Sequence, residues 1–134
     1  MYFEEISDGY SFKTGTKPIT GTEIDIVAQM SGMDLPGFLD DDFAKGWGFK
    51  ARVVPGAYLI ACMMGLMAKH GFLADAVWAA ADGISWKTPV HPGDKICAEA
   101  EVVSRKETKR GGLVTYKWAI KNQNDNLVAQ GQNT

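Results

Sequence analysis

Cysteine and histidine are scarce in this 134-residue chain, which has two of each. Cys62 and Cys97 sit in apolar runs without metal-type spacing. They read as reduced, buried small hydrophobes rather than as a disulfide framework or a metal site. An excess of either charge is missing too: 14 Lys and Arg face 16 Asp and Glu, for a net charge of −2 at pH 7. The basic residues are scattered, with small groups at Lys50 and Arg52 and at Arg105 to Arg110. Neither a nucleic-acid footprint nor an acidic tail is present. The longest uncharged stretch, Val53 to Ala68, has 16 residues and carries glycines. A membrane helix needs about 20 predominantly apolar residues. The opening "MYFEEISDGYSF" lacks the basic segment and apolar core of a secretory signal. These absences lead us to expect a soluble cytoplasmic protein that binds neither nucleic acid nor membrane.

What is present suits one domain over residues 1–134 with a sizeable core, since 46% of the chain is hydrophobic. A domain of this size leaves about a third of its unfolded-chain surface exposed, so self-association is a reasonable expectation. Thr20 followed by Glu23 forms a capping-box pattern, Ile24, Val27, Ala28 and Ser31 share one helical face, and Gly32 is the expected stop. Asp40 suits the N-cap of a short turn running to Lys45. The strongest element is "VVPGAYLIACMMGLMAKHGF": Pro55 is placed at the first helical position, and Gly71 at the end. Its residues are small or apolar on every side, which predicts a helix in the middle of a core, with Ala57, Ala61 and Gly65 allowing another backbone to approach.

The second half reads as strands: Val77 to Trp86, Lys95 to Arg105, Leu113 to Lys121 and Leu127 to Gln132. The turns are "TPVHPGDK", "TKRGG" and "NQNDN". Ile96, Ala98, Ala100 and Val102 alternate with polar residues, as do Val114, Tyr116, Trp118 and Ile120. Helices followed by an antiparallel run predict an α+β fold.

This order resembles the hot-dog fold, an antiparallel sheet wrapped around one long central helix. The segments "SGMDLPGFLD", "GWGFKARVV", "PGAYLIACM", "ISWKTPVHPGDKI" and "GLVTYKWAIKNQNDNLVAQGQNT" resemble the MaoC-like family of (R)-specific enoyl-CoA hydratases and dehydratases across nearly the whole chain. The family pattern S-G-D-x-N-P-[LI]-H-x-D supplies an aspartate and a histidine that act together on a water. That water adds across the double bond beside a thioester. Laid on this pattern, the aspartate position is Met33, the asparagine position Leu35 and the histidine position Phe38, while Pro55 replaces the histidine before the helix glycine. Pro36, Asp40 and Gly56 are kept. Thioether and phenyl groups do not transfer protons, and a missing general acid or base removes roughly 10²–10⁴ of rate.

The resemblance implies a backbone N–H at Gly56 pointing at a thioester carbonyl; the plainer reading is a glycine needed for close packing. Asp34 is either a relocated general base or a turn residue bonded to the loop backbone. Met33, Phe38, Met63, Met64 and Met67 either line an acyl tunnel or belong to the core. Arg52, with Lys50, either meets coenzyme A phosphates or is simply solvated. His70 and His91 read as structural. The expectation is binding of an acyl-CoA or acyl-carrier thioester with weak or absent hydratase activity and no separate cofactor or metal. The alternatives are an active hydratase using Asp34, a hot-dog thioesterase, and a non-catalytic subunit of a heteromer. A homodimer or higher oligomer is expected, with apolar strand faces around Trp118 and Val114 as its surface.

Overall fold

The structure, a computed structural model, describes residues 1–134. After a 3₁₀ turn at Phe3–Glu5 come two short strands, β1 (Ser11–Lys13) and β2 (Lys17–Pro18). Helices α1 (Gly21–Ser31), α2 (Pro36–Leu39), α3 (Asp41–Gly46) and α4 (Gly56–His70) follow. The chain closes with β3 (Ala81–Trp86), β4 (Lys95–Thr108), β5 (Gly111–Asn122) and β6 (Leu127–Asn133). All six strands join one antiparallel sheet in the order β1-β4-β5-β6-β3, with β2 also pairing β4. This is the α+β hot-dog arrangement with an open sheet.

Helix α1 begins as its capping box dictates. Thr20 accepts from Glu23 N–H at 3.2 Å, Glu23 accepts from Thr20 N–H at 2.8 Å, and Gly32 ends the helix at φ 77°. The Asp40 side chain caps α3 by accepting from the N–H groups of Asp42 and Phe43. Gly71, at φ 93°, closes α4. Ile96, Ala98, Ala100 and Val102 from β4 join Val114, Tyr116, Trp118 and Ile120 from β5 in one buried core against Leu59, Met63, Leu66 and Met67 of α4.

Five expectations need correction. Pro55 is the N-cap of α4, with ψ 131°, and Gly56 is the first helical residue. Helix α4 is not enclosed: its sheet side is buried, but Ala57, Ala61 and Gly65 are exposed, because the open sheet wraps one side only. Strand β3 starts at Ala81, not Val77, because left-handed conformations at Leu73 (φ 56°) and Asp75 (φ 54°) bend the chain before it. The segment ahead of β3 nevertheless meets the chain end, where Ala79 and Ala80 N–H donate to Thr134 O at 2.8 and 3.0 Å. Strand β4 runs on to Thr108 past a bulge between Val102 and Ser104, which breaks the alternation. Finally, Trp118 and Val114 are buried at 3% and 7% exposure. Alternation separates two faces of a strand without saying which is inside, and here the apolar face packs on α4. Their strand's other face carries Thr115, Lys117 and Lys121, so these residues offer no apolar surface to a partner.

Candidate functional site at the start of helix α4

The chain enters α4 through a rigid approach. Val54 N–H donates to Val90 O at 2.8 Å, tying the pre-helix segment to the turn after β3. Lys87 N–H donates to Val128 O at 2.8 Å and ties that turn to β6. His91 is buried, with Nδ1 2.9 Å from Arg52 O and its N–H donating to Asp94 at 2.9 Å, so both histidine and aspartate serve the turn. Pro55 is fully buried, and its carbonyl accepts the N–H groups of Tyr58 and Leu59.

The N–H groups of Gly56 and Ala57 have no acceptor within the protein. They are the unpaired donors that every helix start exposes, at the positive end of a 15-residue helix. Gly56 lines a cavity of about 370 Å³ whose walls include Phe49, Val53, Leu59, Trp86 and Pro89. The Trp86 indole lies directly on the helix start: a Cβ at Gly56 would fall 2.7 Å from Trp86 Cζ2. This close packing favours glycine, and Gly56 itself stands at the cavity wall.

The other anticipated residues are not gathered there. Met33 and Phe38 are half-buried, and Phe38 packs against the core. Neither lines the cavity at Gly56. Asp34 is exposed, lies outside that cavity and forms no hydrogen bond, so it is not the turn-bonded residue of the second reading. The loop is instead held by Ser31, whose hydroxyl donates to Val27 O at 2.6 Å and accepts Met33 N–H at 3.3 Å. Arg52 is engaged within the protein. Its guanidinium donates to Asp25 at 2.5 Å and to Phe38 O at 3.4 Å, and its own N–H donates to Asp41 at 3.0 Å. The charge is taken by an acidic residue on α1, 27 positions earlier, a pairing no local pattern reveals. Lys50 is exposed.

A polar cluster beside α4 has no counterpart among the expected site residues. Glu23 accepts from Lys17 Nζ at 2.8 Å and from the Tyr58 hydroxyl, besides its capping contact with Thr20. Burial pushes the Glu23 carboxyl up, but the hydrogen bonds from Lys17, Tyr58 and Thr20 outweigh it and hold the group at about 2. Burial, and then donation to Glu23, raise the Tyr58 phenol far above its ordinary value, and burial also raises the Cys62 thiol. The capping box marks Glu23 in the sequence; no local signal links it to Tyr58. No three His, Cys, Asp or Glu side chains come together in a metal-holding group.

The family model described as "MaoC like domain" matches residues 9–123. The chain belongs to the MaoC-like family. Among curated relatives, it is 25% identical over 120 residues to a mitochondrial 3-hydroxyacyl-[acyl-carrier-protein] dehydratase of Arabidopsis thaliana, covering 89% of this chain and 70% of the relative. It is 33% identical over 95 residues to Protein MaoC of Klebsiella aerogenes, covering 71% of this chain but only 28% of that protein's length. Among solved structures, an (R)-hydratase from A. caviae involved in PHA biosynthesis superposes with a TM-score of 0.83 at 25% identity, covering 97% of this chain and 96% of that one. This MaoC-like chain thus has a dehydratase among its sequence relatives and an (R)-hydratase among its structural neighbours.

Proposed function

We propose that this MaoC-like protein binds an acyl thioester, carried by coenzyme A or by an acyl-carrier protein, with the acyl carbonyl received at the start of α4. The observation that carries the reading is that Gly56, whose N–H has no acceptor in the protein, lines a largely apolar cavity. A helix N-terminus with free donors suits a carbonyl oxygen that gains negative charge. Hydration is weak or absent in this reading, because Met33 and Phe38 occupy the positions of the family's proton-handling pair. The exposed Asp34, off the cavity, offers no substitute base.

Thermal denaturation with a short saturated acyl-CoA tests binding. Ligand at a hundred times Kd adds about 2.7 kcal/mol, which for a domain of this size raises Tm by roughly 8 °C. No rise at millimolar ligand overturns the reading. Loss of enoyl absorbance tests turnover. Brisk hydration by the unaltered chain refutes the loss of activity.

A free strand edge extends the proposal to self-association. Strand β3 is the free edge of the sheet beyond β6, and five of its six residues are exposed. Such an edge presents unpaired backbone groups that a second strand can complete. A second copy of this chain is the expected occupant, with an acyl-binding hot-dog partner of different sequence as the alternative.

A further inference from the structure

Far from Gly56, the C-terminal half of α4 borders a separate cavity of about 170 Å³. Its walls include Met64, Met67, Phe72, Leu73 and Trp78, and nine of its ten lining residues are hydrophobic, a count that includes Tyr116. It shares no wall residue with the cavity at Gly56. A relay of hydrogen bonds leads to it. Trp118 Nε1–H donates to Asn133 Oδ1 at 3.1 Å, and Asn133 Nδ2 donates to the Tyr116 hydroxyl oxygen at 3.2 Å. An indole N–H only donates, so it sets the orientation of the Asn133 amide. The amide in turn fills an acceptor position of the Tyr116 oxygen and leaves the phenolic proton to point elsewhere.

That proton meets only the thioether of Met64, at 3.8 Å. A thioether is among the weakest acceptors in proteins. Tyr116 and Asn133 are 3% and 1% exposed, so the relay that orients the phenol is itself buried. Burial raises the Tyr116 phenol above its ordinary value and keeps it a neutral donor. The other hydroxyl on the wall, of Thr134, is already paired with Thr115 at 3.0 Å. The cavity therefore combines apolar walls with a buried O–H that lacks a good acceptor. The cavity opens to solvent at Val77 and Trp78, 90% and 47% exposed, and its volume suits a benzene-sized group.

We propose that this cavity is a second ligand site, taking a compact apolar group of about seven heavy atoms that bears one acceptor oxygen, with Tyr116 as the donor to that oxygen. The site stands independently of thioester binding at Gly56. The test uses two probes of one shape, cyclohexanone and methylenecyclohexane, which differ only in a carbonyl oxygen against a methylene group. Binding is read from the methyl resonances of Met64 and Met67 in the full chain. Cyclohexanone is expected to bind about three- to tenfold more tightly, the net worth of one neutral hydrogen bond. Tyr116→Phe is expected to bring the ratio to about one while methylenecyclohexane binding persists. Met64→Leu removes the competing thioether and is expected to raise the ratio, which keeps the test decisive should Tyr116→Phe fail to fold. Absence of methyl shifts with either probe overturns the proposal. So do equal affinities in the unaltered chain, a preference that survives Tyr116→Phe, or a ratio that Met64→Leu leaves unchanged.

Discussion

A carboxylate held by an ammonium, a phenol and a backbone amide stays ionised well into acid, and Glu23 is held in this way. Its folded value of about 2 lies below the ordinary 4.5. The stabilisation is therefore complete above about 4.5 and is lost as pH falls towards about 2. Urea midpoints at pH 5.5 and 2.5 should differ less in Glu23→Gln than in the unaltered chain; equal differences would show that the cluster contributes nothing. Arg52 ties α1 to the short helices through Asp25, Phe38 O and Asp41. Its side chain is only 15% exposed. Arg52→Ala is expected to cost about 1–3 kcal/mol, and Arg52→Lys to recover only part, because a point charge does not reproduce the fork of contacts. Denaturant titration measures both. Unchanged stability with lost coenzyme A affinity would instead assign this residue to phosphate binding.

At the level of elements, the helix start is the feature most open to a substitution test. Gly56→Ala drives a methyl into the Trp86 ring. Forced overpacking costs about 1–3 kcal/mol. The expected outcome is at least a tenfold loss of acyl-CoA affinity by calorimetry, partly restored in Gly56→Ala combined with Trp86→Leu. Elements with strong punctuation are legible in the amino-acid sequence: Thr20 with Glu23 opens α1, Pro55 and Gly71 bracket α4, and Pro and Gly separate the later strands. Strands β1 and β2 are not, because three and two residues are too few to show alternation and their pairing with β4 is wholly non-local. The same limit applies to the site. Gly56 is legible through its motif, whereas the Arg52–Asp25 and Glu23–Tyr58 pairs join residues 27 and 35 positions apart. Nothing in a local pattern encodes such meetings.

For the whole molecule, the open sheet is the governing fact. It covers one side of α4 and ends at β3 without a neighbour. No helix is long and apolar enough to cross a membrane. Light scattering is expected to give twice the 14.6 kDa chain mass, and Ile84→Lys on the free edge should shift the mass towards that of one chain. A single-chain mass for the unaltered protein at high micromolar concentration would refute edge pairing.

Trp86 belongs to two places at once, the unpartnered strand and the wall against Gly56. Events at those places are consequently not energetically separate. If a guest that displaces the indole strengthens pairing along β3, pairing must tighten the guest by an identical factor. Affinity measured in dilute solution would then differ from affinity measured in concentrated solution, and a dilution series of a single ligand would read out the linkage.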